Sequence, residues 1–167
     1  DQPFSVYEHG INLKKSHRLV LLADEVVYFD YPFGQNWHQK QDMINRLREK
    51  GGYVVLAHPQ FAQGHTETDF QKLVGYHFTE VVNHYRISEK EWDEGLRSGH
   101  LSWLLANDDT HDIQHEPTFQ NWSCVEDSFT NPNELMELLL KGRHVGYHDT
   151  TGLTQAKLVH MKIQRDQ

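Results

Sequence analysis

The sequence predicts an α/β fold with a parallel sheet, open or barrel-shaped. Three observations lead there. Short apolar runs alternate with helix-patterned segments about four times along the 167 residues, and the connections are short. Two runs, Val54-Val55-Leu56-Ala57-His58-Pro59 and Leu104-Leu105-Ala106-Asn107-Asp108-Asp109-Thr110-His111, end abruptly in imidazole and carboxylate groups. The length suits one domain able to bury a real core.

Taken in order, residues 4–7 read as a short strand running into Glu8, followed by a polar turn containing Lys14, Lys15 and Ser16. His17 opens a second strand over 18–22, and 26–29 reads as a third. Pro32 marks 30–34 as a loop. Trp37, Met43, Ile44 and Leu47 share one helical face, so 36–50 is a helix stopped by Gly51-Gly52. The next strand ends at His58-Pro59, where the proline disfavours helical geometry at His58 and fits an extended exit. Thr66-x-x-Asp69 starts a short helix to 74, with Gly75 beyond its end.

Residues 78–82 form a strand leading into Asn83-His84-Tyr85-Arg86. Ser88-x-x-Glu91 has the pattern of a capping box and opens a helix that Gly99 stops. The strand over 101–106 delivers the aspartates, and a polar loop over 112–120 precedes a strand at 121–125, with Cys124 buried inside it. Asn131-Pro132-Asn133-Glu134 is a helix start, and residues 135–140 are apolar nearly all round, so that helix is well buried. Residues 145–147 read as a last barrel strand and 156–163 as one strand beyond it. This divides the chain into a barrel portion, 1–150, and an extension or further strand of the same domain, 151–167.

A formal charge of −8 without a basic stripe argues against nucleic-acid binding. The single cysteine excludes an intrachain disulfide and a thiolate zinc cluster, so any metal must rest on His, Asp and Glu. No apolar run reaches the length of a membrane span, and the chain opens at Asp1 without a signal-peptide pattern. Cytoplasm and periplasm are both compatible with this composition.

Parallel sheets present functional residues at the carboxyl ends of their strands. Glu8, His58, Asn83, Asp108, Asp109 and His111 fall there, with His17 nearby. Oxygen and nitrogen donors without sulfur suit Zn, Mn or Fe. His84 is a candidate for lining the same cleft and for proton transfer, and Arg86 for meeting a substrate anion.

The order of these motifs resembles the PHP (polymerase and histidinol phosphatase) family. The resemblance is carried by Val54-Val55-Leu56-Ala57-His58-Pro59, Glu80-Val81-Val82-Asn83, and Ala106-Asn107-Asp108-Asp109-Thr110-His111. Asn121-Trp122 and Leu138-Leu139-Leu140-Lys141-Gly142-Arg143 fit as well. It implies part of a distorted (β/α)7 TIM-like barrel with up to three divalent ions at the strand ends. Glu8 would match a bridging glutamate, His17 and His58 terminal ligands, and Asp109 and His111 the final Asp-x-His pair.

The family's opening His-x-His strand and a further ligand-bearing strand have no counterpart here. The resemblance therefore implies N-terminal strands absent from this chain: either they are supplied elsewhere, by another chain or by the missing N-terminal segment of the same protein as a partner, or the chain is an inactive remnant. The implied activity is hydrolysis of a small phosphorylated substrate by a metal-bound hydroxide. Two alternatives follow from the same residues: a metal-dependent C–N hydrolase, and a non-catalytic binding or scaffold domain that kept a degenerate PHP fold.

Overall fold

A computed structural model describes residues 4–112, 114 and 120–149. The elements run β1 (Val6–His9), β2 (Arg18–Leu21), α1 (Trp37–Glu49), β3 (Tyr53–Leu56), α2 (Glu67–Phe70), β4 (Phe78–Asn83), α3 (Glu89–Arg97), β5 (Trp103–Asn107), β6 (Asn121–Val125), α4 (Pro132–Leu140) and β7 (His144–His148). A 3-10 turn at Phe61–Gln63 precedes α2.

Side-chain alternation along the strands decides the layering. Val20, Val54 and Leu56 point to one face, where they bury Ile44 and Leu47 of α1 together with Phe70, Leu73 and Tyr76. Leu21 and Val55 point to the other, against Phe78 and the α4 residues Met136 and Leu139. The sheet is covered on both faces, and each fully buried aliphatic side chain contributes roughly 1.5–3 kcal/mol.

The sheet order is β1-β2-β3-β4-β5, with β6 and β7 forming a separate two-stranded ribbon. β1 and β2 are antiparallel, β2 and β3 are antiparallel, and only β3, β4 and β5 run parallel. This overturns the barrel expectation: the chain is mixed α/β with an open sheet, not part of a (β/α)7 barrel. The physical reason lies at both ends of the sheet. The polar turn after β1 returns the chain antiparallel to itself without a helical crossover. At the other end β6 bonds to β7 instead of extending the ladder, so residues 145–147, expected as a barrel strand, belong to an antiparallel ribbon. That ribbon packs on β5 through the Ser123 hydroxyl, which accepts from Ala106 N–H at 2.9 Å and donates to Ala106 O at 3.2 Å.

Several local expectations shift. The first strand begins two residues later than the sequence pattern indicates. Residues 26–29 form no strand: Val26, Tyr28 and Phe29 are exposed, and β-propensity without a neighbouring edge builds no ladder. Thr66 and Asp69 do form a capping box, but the helix stops at Phe70. Ser88 does not cap α3 with its side chain; its hydroxyl accepts from Gln60 N–H at 3.3 Å and ties the 3-10 turn to that helix. His58 is not extended but has φ 28°. Cys124 is only half-buried. The expected strand over 156–163 and the extension 151–167 lie outside the described residues.

A buried polar network holds the loops that precede the site. Asp30 accepts from Ile11 N–H at 2.9 Å, from the Asn12 amide at 3.2 Å and from the Gln35 amide at 2.6 Å. Burial opposes ionisation of Asp30, but the bonds from Ile11, Asn12 and Tyr31 outweigh it and hold its pKa below the ordinary carboxylate value. A depressed pKa means stability that is present above the unfolded value of about 3.9 and lost as pH falls through the folded value. Asp30→Asn is therefore expected to destabilise the protein at pH 7, with the gap to wild type closing as urea midpoints are followed below about pH 4. Leu47→Ala, at a fully buried position between α1 and the sheet, is expected to cost about 2–5 kcal/mol in urea unfolding.

Candidate metal centre

Strand direction brings the donor residues to one edge. β1 is parallel to β3, so Glu8 near the end of β1 lies on the same side as the exits of β3, β4 and β5. β2 runs the opposite way, and the residue just before it, His17, reaches that edge from its amino end. Register confirms the alignment: His9 pairs with Arg18, and Arg18 pairs with Leu56.

Three ligand atoms meet there. Glu8 Oε1 is in direct contact with His17 Nδ1 and lies 3.2 Å from His58 Nε2, and the two ring nitrogens are 3.2 Å apart. Hydrogen bonds from His17 and then His58, helped by their positive charge, outweigh burial and hold Glu8 well below the usual carboxylate range. Burial works against protonation of His58, but the bond to Glu8 and the charges of Glu80, Asp109 and Glu8 raise its pKa. The His58 ring also meets the edge of Phe61, with centroids 5.5 Å apart. Its Nδ1 is buried and has no hydrogen-bond partner.

A second donor group adjoins the first and shares Glu8: Glu8, Asp109 and His111 offer ligand atoms within 4.8 Å of one another. His111 Nδ1 donates to Asp109 O at 2.8 Å, leaving the ring's lone pair on Nε2. Asp109 has φ 52° and its N–H donates to Asn107 Oδ1 at 2.8 Å, a local turn that an aspartate tolerates. All five residues line one cavity of about 300 Å³, together with Lys15, Phe61, Asn83 and Tyr85. Of the described non-glycine residues with positive φ, Lys15, His58 and Asp109 line this cavity. Strain of about 1–3 kcal/mol per residue is retained where a site needs the geometry.

The donor set fits a divalent ion. Ligand atoms about 2.0–2.1 Å from a tetrahedral zinc stand roughly 3.3 Å from each other, close to the separations from His58 Nε2 to its two neighbours. Once the two imidazoles give up the protons they share with Glu8, all three atoms present lone pairs to one point, where a cation could take the protons' place.

Glu80 is the residue that the sequence reading passed over. Its buried carboxylate accepts from His58 N–H at 2.7 Å and from the Asn83 amide at 2.6 Å, locking the exits of β3 and β4 together. Burial pushes its pKa up to about 7 against those two hydrogen bonds. A carboxylate in the middle of the strand-forming run 78–82, next to Val81-Val82, was the available signal.

Other expected residues are not gathered in. Asn83 N–H donates to Arg86 O at 3.0 Å and Arg86 N–H donates back to Asn83 O at 3.3 Å, closing a tight turn. Alternation around it turns Asn83 and Tyr85 into the cavity but leaves out His84 and Arg86. His84 instead donates from Nδ1 to Gln120 Oε1 at 3.1 Å, and Arg86 is exposed with NH1 donating to Tyr85 O at 2.7 Å. Asp108 is structural: it accepts from the N–H of Asn121 at 2.7 Å, from that residue's amide at 3.0 Å and from Gln120 N–H. No protein-family model matches the chain, and no curated protein matches it.

A metal ion bound here would have to displace protons from this cluster, and the raised pKa of His58 would make it compete with them. Zinc affinity measured by competition with a chromophoric chelator is expected to fall steadily from pH 7.5 to pH 5.5. A flat profile would exclude His58 from the ligand set.

Proposed function

We propose that this chain is a divalent-metal-dependent phosphoesterase. The observation that carries the reading is the convergence of Glu8 Oε1, His17 Nδ1 and His58 Nε2 in a cavity that Asp109 and His111 also line. The order of the His58-Pro59 and Asp109-x-His111 motifs, at the exits of β3 and β5, supports a PHP-type activity on the open sheet described above.

Zn, Mn or Fe held there would polarise a phosphoryl oxygen and lower the pKa of water, the chemistry that phosphoester hydrolysis needs. The chain's own residues define how. His17 and His58 would hold one ion, Asp109 and His111 would hold a second, and Glu8 is common to both groups. Glu80 fixes the His58 backbone from behind and so sets where its ring points. The cavity of about 300 Å³ is lined in part by Phe61 and Tyr85. Among the described residues no helix is long and apolar enough to cross a membrane.

Elemental analysis of protein purified without chelator tests the reading, alongside hydrolysis of a panel of phosphoesters and amides. Zinc, manganese or iron is expected in wild type and is expected to be lost in the His58→Ala/Asp109→Ala double variant. Phosphoester turnover should fall by more than the roughly 10- to 100-fold that losing a ligand's hydrogen-bond partner costs. A folded wild type without metal would leave a non-catalytic binding domain. Metal with turnover only on amides would make it a C–N hydrolase.

A further inference from the structure

The cavity carries one side chain that neither donor group uses. Lys15 lines it at the tip of the turn between β1 and β2, on a backbone held at φ 53°. The turn is tied from several sides. Lys15 N–H donates to Asn12 O at 3.1 Å, and His17 N–H donates to Lys15 O at 2.8 Å. The next residue, Ser16, donates from N–H to Asn12 Oδ1 at 2.9 Å and from its hydroxyl to Gly64 O at 2.7 Å. Asn12 is anchored in turn on Asp30. Gly64 lies so close that a Cβ there would come within 2.3 Å of the Lys15 carbonyl oxygen, so this contact tolerates only glycine.

A lysine on a solvent-exposed turn ordinarily needs no such scaffolding. Among the described residues its ammonium makes no ion pair, although Glu8 and Asp109 line the same cavity. Lys15 is therefore a cation on a tied, positive-φ backbone beside the donor groups of the cavity.

We propose that Lys15 binds a non-bridging oxygen of the substrate's phosphate, and that the substrate is therefore a phosphate monoester. This rests on the phosphoesterase reading of the cavity. An ammonium acts on phosphate as a point charge. Its attraction grows with ligand charge, so a dianionic monoester gains more from it than a monoanionic diester. A neutral amide gains little. Lys15 is a specificity residue here, acting on the substrate and leaving the metal donors untouched.

The test uses zinc-loaded wild type, Lys15→Ala and Lys15→Arg, with zinc content measured on the same samples. Titration with inorganic phosphate by calorimetry is expected to show binding weakened about 10- to 100-fold in Lys15→Ala. Most of the affinity should return in Lys15→Arg, with zinc unchanged throughout. Turnover of p-nitrophenyl phosphate should drop more than that of bis(p-nitrophenyl) phosphate. Equal phosphate affinity in wild type and Lys15→Ala with zinc retained would overturn the assignment alone, as would equal losses on both esters. Absence of zinc from wild type would overturn the phosphoesterase reading and this inference with it.

Discussion

A guanidinium with no solvent exposure sits at the start of β2, and the site is built around the requirement to satisfy it. Arg18 donates to Ser16 O at 2.7 Å and to Gln35 Oε1 at 2.9 Å, while the Gln35 amide donates to Asp30. Burial draws its pKa down to about 10, with the charges of Asp30 and Asp69 acting against that, so it remains a cation at neutral pH. Asp69 in turn is paired at 2.5 Å with Lys40 of α1. Breaking such an arrangement leaves an uncompensated charge in the interior, which costs far more than an exposed pair would. The consequence is positional. The loops on both sides of β2 can take only arrangements that bring Ser16, Gln35 and Asp30 to Arg18, and the residue between Ser16 and Arg18 is His17.

The same logic runs along the rest of the edge. Every donor but Glu8 is aimed by a hydrogen bond made behind it: Glu80 on the His58 backbone, Asn107 on Asp109, the Asp109 carbonyl on His111. His65 adds another, with Nε2 donating to His17 O at 3.1 Å from a fully buried ring. Burial lowers its pKa far below the ordinary histidine value, so it acts as a neutral strut. A site built this way is preorganised before anything binds, because the supporting polar groups are paid for by the fold.

Much of the chain was legible from local pattern. The run Asn131-Pro132-Asn133-Glu134 capped α4 as its chemistry requires, with Asn131 Oδ1 accepting from Asn133 and Glu134. The helix face of Met43, Ile44 and Leu47 was buried as its spacing indicates. Strand 121–125 matched β6 residue for residue. Strand partnership was less legible. An antiparallel turn and a parallel crossover look alike when the runs they join are equally short and apolar, and nothing local says whether a final pair of strands extends a sheet or leaves it. His84 and Arg86 stay out of the cavity lining for a related reason: a single tight turn decides which alternate residues face inward.

The sequence by itself determined which residues are chemically able to hold a metal, the approximate places where the chain turns, and that a single cysteine forms no disulfide or thiolate cluster within the chain. These follow from side-chain identity and from periodicities spanning only a few residues. The tertiary structure alone decided that Glu8, His17 and His58 touch, that Glu80 and Lys15 join them, and that the sheet stays open. Those outcomes depend on strand direction and register between segments as many as 50 residues apart, as Glu8 and His58 are. Local pattern carries no record of such pairings, since they are selected by the joint packing of both sheet faces and the burial of one arginine.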